Sequence, residues 1–146
     1  MNVVVDTNIV FSALLSPKGA ISDLLFNSAG ILDFYSPTFL LEELENHHQK
    51  LLNLSRFSEE DLSYLKRMVL KKIELIDLAL VSDSIWKAAM DMTNPIDEFD
   101  APFVALSLAL ESTLWTGDKK LLMGLRQQEV DWVLNTANLK EIRDKH

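Results

Sequence analysis

Asp6, Asp100 and Asp118 each stand where this sequence changes from one kind of element to another. Asp6 closes the run V-V-V-D, whose β-branched residues suit a strand covered on both faces, and Asp118 closes L-W-T-G-D. Asp100 opens D-A-P-F-V-A-L-S-L-A-L, where Pro102 fits only the first turn of a helix and the residues after it are apolar all round. An Asp at such a junction is ordinarily a helix cap. In a parallel sheet, however, the strands share one carboxyl edge, so Asp6 and Asp118 become neighbours if their strands are adjacent. Carboxylates gathered in this way raise one another's pKa unless a cation intervenes. Hard oxygen donors without thiolates suit Mg²⁺ or Mn²⁺, and such a site can activate water for in-line displacement at a phosphodiester.

Composition narrows the chemistry further. The chain has no cysteine, which removes thiolate catalysis, disulfides and cysteine zinc sites and is compatible with a reducing cytoplasm. His47, His48 and His146 do not make a zinc set. The start M-N-V-V-V-D lacks a signal-peptide pattern, and no apolar run is long enough to span a bilayer, so a soluble, cytoplasmic protein with no membrane partner is expected. The net charge of −8 argues against nucleic-acid binding through a basic surface. It leaves open nucleic acid reached through cations held by the acids, because bound metal inverts the local sign.

The elements that must position these acids alternate between helical and strand patterns, as in an α/β domain around a mostly parallel sheet; one domain over residues 1–146 is expected. After the strand at 3–5 and a first helix, S-P-K-G reads as a turn and residues 20–29 as a helix stopped by Gly30. Residues 32–35 form the second strand. A helix from Pro37 carries the stripe Leu40, Leu41, Leu44, His48 and Leu51. S-E-E-D starts a further helix at 58, I-E-L-I a short strand at 73–76, and a helix around 81–90 ends before N-P. The apolar helix after Asp100 should lie deep against the sheet, followed by strands at 113–116 and 131–134 and a polar terminal helix. Trp86, Trp115 and Trp132 fall inside these elements and are expected in the core.

The stretches V-V-V-D-T-N-I-V-F-S-A-L-L, S-P-T-F-L-L-E-E-L-E-N-H, D-E-F-D-A-P-F-V-A-L-S-L-A-L and L-W-T-G-D-K-K-L-L occur in an order and spacing that resembles the PIN domain, a metal-dependent ribonuclease fold found in many toxin-antitoxin toxins. The resemblance implies a three-layer fold with the first strand central, and Asp6 beside the end of the T-G-D strand. It implies four acidic ligands: Asp6, an acid of the E-E-L-E segment, Asp100 and Asp118, supported by hydrogen bonds from Asn8 and Thr116. Glu42, Glu43 and Glu45 all remain candidates for the second acid. The family's habit of placing this Glu before Leu or Ile selects Glu43. Asp97, one turn before Asp100, is a further metal-ligand candidate, while Lys120 stands where some relatives carry another acid. Lys119 and Lys120 follow Asp118 directly and could reach substrate phosphates.

The expected function is therefore a Mg²⁺- or Mn²⁺-dependent endoribonuclease, the toxin half of a toxin-antitoxin module, with RNA as substrate, an antitoxin as protein partner and a homodimer as a candidate assembly. The alternative is a catalytically silent RNA- or protein-binding module of the same fold. A phosphatase using Asp6 as nucleophile is disfavoured, since Asn8 occupies the place of the second carboxylate in a D-x-D pattern.

Overall fold

The computed structural model describes all residues, 1–146. The chain runs β1 (Asn2–Val5), α1 (Thr7–Leu15), α2 (Ala20–Phe26), β2 (Asp33–Pro37), α3 (Phe39–Asn46), α4 (His48–Ser55), α5 (Glu59–Leu70), β3 (Ile73–Ile76), α6 (Asp83–Thr93), α7 (Ala101–Leu110), β4 (Thr113–Trp115), α8 (Lys119–Gln127), β5 (Val133–Leu134) and α9 (Thr136–Asp144). Short 3₁₀ turns lie at Leu78–Leu80 and Glu98–Asp100. No single helix is long and apolar enough to cross a membrane.

The strands form one five-stranded sheet in the order β3-β2-β1-β4-β5. Every pairing is parallel, so each carboxyl end lies on the same edge. The chain builds outward from β1 to β2 and β3, then returns past β1 to build β4 and β5 on its other side. The β1/β4 boundary is therefore the point where strand order reverses, the usual place for a ligand crevice in an open α/β sheet.

Alternation within the V-V-V run decides the layers. Val3 and Val5 face one side, where they join Trp115 and residues of α1–α5 and α9 in a large apolar cluster. Val4 faces the other, against Leu114 and residues of α6, α7 and α8. Three layers result, as expected for this fold class. Helix α7 is buried from Phe103 through Ser107 and contacts β1, β2 and β4, so its first residue is brought over the carboxyl edge of the sheet. Trp115 is fully buried, whereas Trp86 and Trp132 pack half-buried against the second cluster.

Several local expectations are corrected. The helix expected over 20–29 ends at Phe26, and Gly30 acts in the turn beyond it, at a φ of +81° that suits glycine. Pro37 does not open a helix but closes β2, paired with Ile76, and α3 starts at Phe39. The single helix expected through Leu51 is broken at His47, and Leu41 is exposed rather than part of the buried stripe. No capping side chain marks that break. His47 instead turns its ring toward Phe11, at 5.3 Å between centroids, and donates from Nδ1 to the Glu43 carbonyl at 2.9 Å. These are partly tertiary contacts, which a helical pattern does not encode. The last strand is confined to Val133–Leu134.

Candidate active site

Four of the five candidate acids are placed by the ends of elements, and the fifth by a helix face. At the end of β1 the backbone of Asp6 is extended, and its Oδ1 accepts the N–H of Ile9 at 3.0 Å, capping α1. One strand away, Val5 pairs with Trp115. The chain beyond β4 then turns so that Asp118 caps α8, its Oδ1 accepting the N–H groups of Lys120 at 2.9 Å and Leu121 at 3.4 Å. Thr116 braces this turn by accepting the Asp118 N–H on Oγ1 at 3.0 Å. Asp97 holds the Glu98–Asp100 turn, its Oδ1 accepting the Phe99 N–H at 3.0 Å.

Asp100 behaves differently from the cap its position suggests. The chain enters α7 through a 3₁₀ turn, so the Asp100 backbone is already helical and its side chain makes no capping bond. A cap needs extended backbone to reach back to the first free N–H groups. The carboxylate instead turns inward, and Oδ2 is buried without a hydrogen-bond partner. Glu43, on α3, is half-buried and accepts the Thr7 hydroxyl at 2.5 Å on Oε1, while Glu42 and Glu45 are exposed.

Asp6, Glu43, Asp97, Asp100 and Asp118 line one cavity of about 190 Å³, together with Thr7, Asn8, His47 and three phenylalanines. Larger hollows occur at the amino ends of β2 and β3 (about 400 Å³) and beside α8 (about 620 Å³), but the acids of the first stand with Lys71 and Lys72, and the second is lined by no acid at all. Of these three, the smaller cavity alone gathers carboxylates with no lysine or arginine on its walls.

Electrostatics reports that convergence. Burial pushes the Asp6 carboxyl up to about 6; the Thr116 hydroxyl and the Ile9 N–H draw it down, and Asp118 and Glu43 push it further up. Burial also raises Asp100, to about 7, with Asp97, Asp118, Asp6 and Glu43 all adding repulsion. The all-oxygen donor set, its uncompensated charge and the partnerless Asp100 oxygen fit a hard divalent cation. The side chains are not, however, closed into a ready cage: no group of three acidic or histidine residues is arranged to hold an ion as it stands.

Of the expected supporting residues, Asn8 lines the cavity but is exposed, and Thr116 braces Asp118. Lys119 and Lys120 are exposed on the first turn of α8 and do not line the cavity; Lys120 borders the neighbouring hollow beside Pro95 and Ile96. Thr7, Phe11, His47, Phe99 and Phe103 belong to the cavity wall although nothing in the sequence singled them out for it. For Thr7 a signal existed, since a short hydroxyl in the first turn after Asp6 has to point somewhere near that acid.

A sequence model described as a PIN domain matches residues 4–140. Among solved structures, the chain is similar to VapBC2 from Rickettsia felis, bound in that structure to a DNA fragment from their promoter, with a TM-score of 0.69 and 18% identity over 92% of this chain and 98% of that one. PAE2754 from Pyrobaculum aerophilum superposes with a TM-score of 0.71 and 14% identity, over 100% of this chain and 91% of the other. No curated protein matches the sequence.

Proposed function

This chain belongs to the PIN domain family, and from that premise we propose that it is a Mg²⁺- or Mn²⁺-dependent endoribonuclease that hydrolyses RNA phosphodiester bonds. The observation that carries the reading is the partnerless oxygen of Asp100, turned away from a capping role within a cavity shared with four other acids. Asp6, Glu43, Asp100 and Asp118 would hold the cation, with Asp97 a further ligand at the rim. Bound there, Mg²⁺ or Mn²⁺ supplies an acidified water and offsets the charge of the phosphate.

The chain's own residues do the rest. Helix caps at Asp6 and Asp118 hold their Oδ1 atoms on fixed backbone N–H groups, so these two carboxylates are oriented before any ligand arrives. The Thr7 hydroxyl holds Glu43 toward them. Burial and the four neighbouring acids raise the Asp100 carboxyl to about 7 in the metal-free chain, repulsion that a bound cation would relieve. Thr116 keeps the turn before α8 in the form that aims Asp118 inward. Lys119 and Lys120, outside the cavity, would meet flanking phosphates of a longer strand rather than the one cleaved.

The likeness to VapBC2 supports a toxin role with an antitoxin protein as partner. RNA as substrate, a homodimeric assembly and work in the cytoplasm belong to the same proposal. A second reading, a silent RNA- or protein-binding module, is favoured by the lack of a closed three-ligand cage. Incubating a mixed RNA pool with the purified protein in Mg²⁺, in Mn²⁺ and in chelator decides between them. Metal-dependent cleavage is expected, lost at least ~100-fold in Asp6→Asn and Glu43→Gln, in the range seen when a transition-state contact is removed, and largely kept in Glu42→Gln. No cleavage by the parent with either cation would leave the silent module.

A further inference from the structure

No lysine or arginine lines the acid cavity, and the chain as a whole carries a net charge of −8. Affinity for RNA elsewhere comes mainly from cationic side chains that displace counterions from phosphates, and this wall has none to offer. Besides the acids, Thr7, Asn8 and His47, it offers the aromatic surface of three phenylalanines. Phe103 is buried in the core, and Phe11 is half-buried with its ring against His47, so both are occupied in packing. Phe99 is not. It is 69% exposed, although it stands between two acids of the cavity and its backbone N–H is held by Asp97 at 3.0 Å.

A large apolar ring exposed to water at the lip of a carboxylate cavity gains most from a flat, apolar-faced ligand whose other end is an anion for the cavity. A nucleotide has that form: its base can cover the ring while its phosphate meets the cation site. We propose that Phe99 is a stacking platform for the base next to the cleaved bond. The inference rests on the nuclease reading and adds what holds the substrate. A protein partner could also cover an exposed phenylalanine, but this ring shares its wall with five carboxylates, which serve phosphate chemistry and not apolar docking.

The test uses a single-stranded RNA oligonucleotide carrying 2-aminopurine, whose fluorescence is quenched by stacking, with Mn²⁺. Parent protein is expected to cleave this strand. Phe99→Ala and Phe99→Leu should raise KM roughly tenfold, within the range that stacking on one ring supplies, with kcat little changed and the quenching lost. Phe99→Trp should restore both. Since Phe99 is exposed, all three variants should melt with the parent, which makes the kinetic readout decisive. An unchanged KM in Phe99→Ala, or parental behaviour in Phe99→Leu, overturns the stacking role while leaving the nuclease in place. Absence of cleavage by parent and Phe99→Trp alike removes the nuclease reading itself, and this inference with it.

Discussion

A carboxylate that caps a helix is content without a ligand, whereas one whose oxygen is buried and unpartnered is not, and Asp100 is of the second kind. In the metal-free protein it adds repulsion to Asp6, Glu43, Asp97 and Asp118 that the unfolded chain escapes. Asp100→Asn should therefore raise the melting temperature in chelator. The same change removes a proposed ligand, so it should shrink the further rise that Mn²⁺ causes; a full site stabilises by about 2.7 kcal/mol at a hundredfold excess over Kd. Thermal melts of parent and variant at fixed pH and ionic strength check both signs. A variant that keeps the whole Mn²⁺-dependent rise would exclude Asp100 from the site. Asp6 and Asp118 make a less clean case, because each also caps a helix and its loss costs capping stability as well as charge.

Among the elements, α8 carries Asp118 at its start and a glycine, Gly124, in its interior. A mid-helix glycine is about 1 kcal/mol less favourable than alanine, so propensity alone predicts that Gly124→Ala stabilises. Packing predicts the opposite. A Cβ at this position would lie 2.5 Å from Ile96 Cδ1 and 2.6 Å from Cγ1, and Ile96 directly precedes Asp97. The missing side chain is what lets the 95–97 segment seat against α8. We expect Gly124→Ala to destabilise by about 1–3 kcal/mol, as overpacking does, and to stabilise slightly when made in an Ile96→Ala background. Urea unfolding of the four proteins in that cycle measures the coupling; a stabilised single variant would show that Ile96 simply rotates away.

Over the whole molecule, the raised acids set an unusual pH dependence. Asp6 and Asp100 titrate near 6 and 7 in the folded chain, against an ordinary value of 3.8. Between about pH 4 and 7 the native state thus holds protons that the unfolded chain has released, so stability must fall as pH rises through this window. Asp23 and Asp144 are shifted down by hydrogen bonds, from Asn27 and Lys140 foremost, and Arg143 adds to both. Their contribution is present above their unfolded value and lost only at lower pH, so it does not cancel the slope. In chelator the melting temperature should drop by several degrees from pH 5 to pH 7.5, and saturating Mn²⁺ should flatten or reverse that drop, because cation binding displaces the protons. A melting temperature that rises steadily over this range in chelator would contradict the crowding of the two acids.

The sequence by itself determined where the acids sit along the chain: Asp6 and Asp118 at the ends of strands and Asp100 at the start of a buried helix. Strand and helix periods, Pro102 and the V-V-V run are local signals, and a parallel sheet puts the two strand ends on one edge; that β1 and β4 are neighbours there was decided by the sheet order. The sequence did not determine what those acids do there: the cap ordinary for an Asp in this position is missing at Asp100 because the preceding 3₁₀ turn leaves its backbone helical. Nor could the pattern choose among Glu42, Glu43 and Glu45 from residues alone, since the choice needs the rotation of α3 about its axis. In the fold Leu40 and Leu44 turn to the core, and Glu43 meets the Thr7 hydroxyl from α1. Family resemblance selected Glu43, and the fold places that residue and neither neighbour in the cavity. The exposure of Phe99, the Thr7–Glu43 hydrogen bond and the seat of Ile96 on Gly124 were decided only by the tertiary structure. Each joins residues from separate elements or depends on what the rest of the chain leaves uncovered, and no local periodicity carries that information.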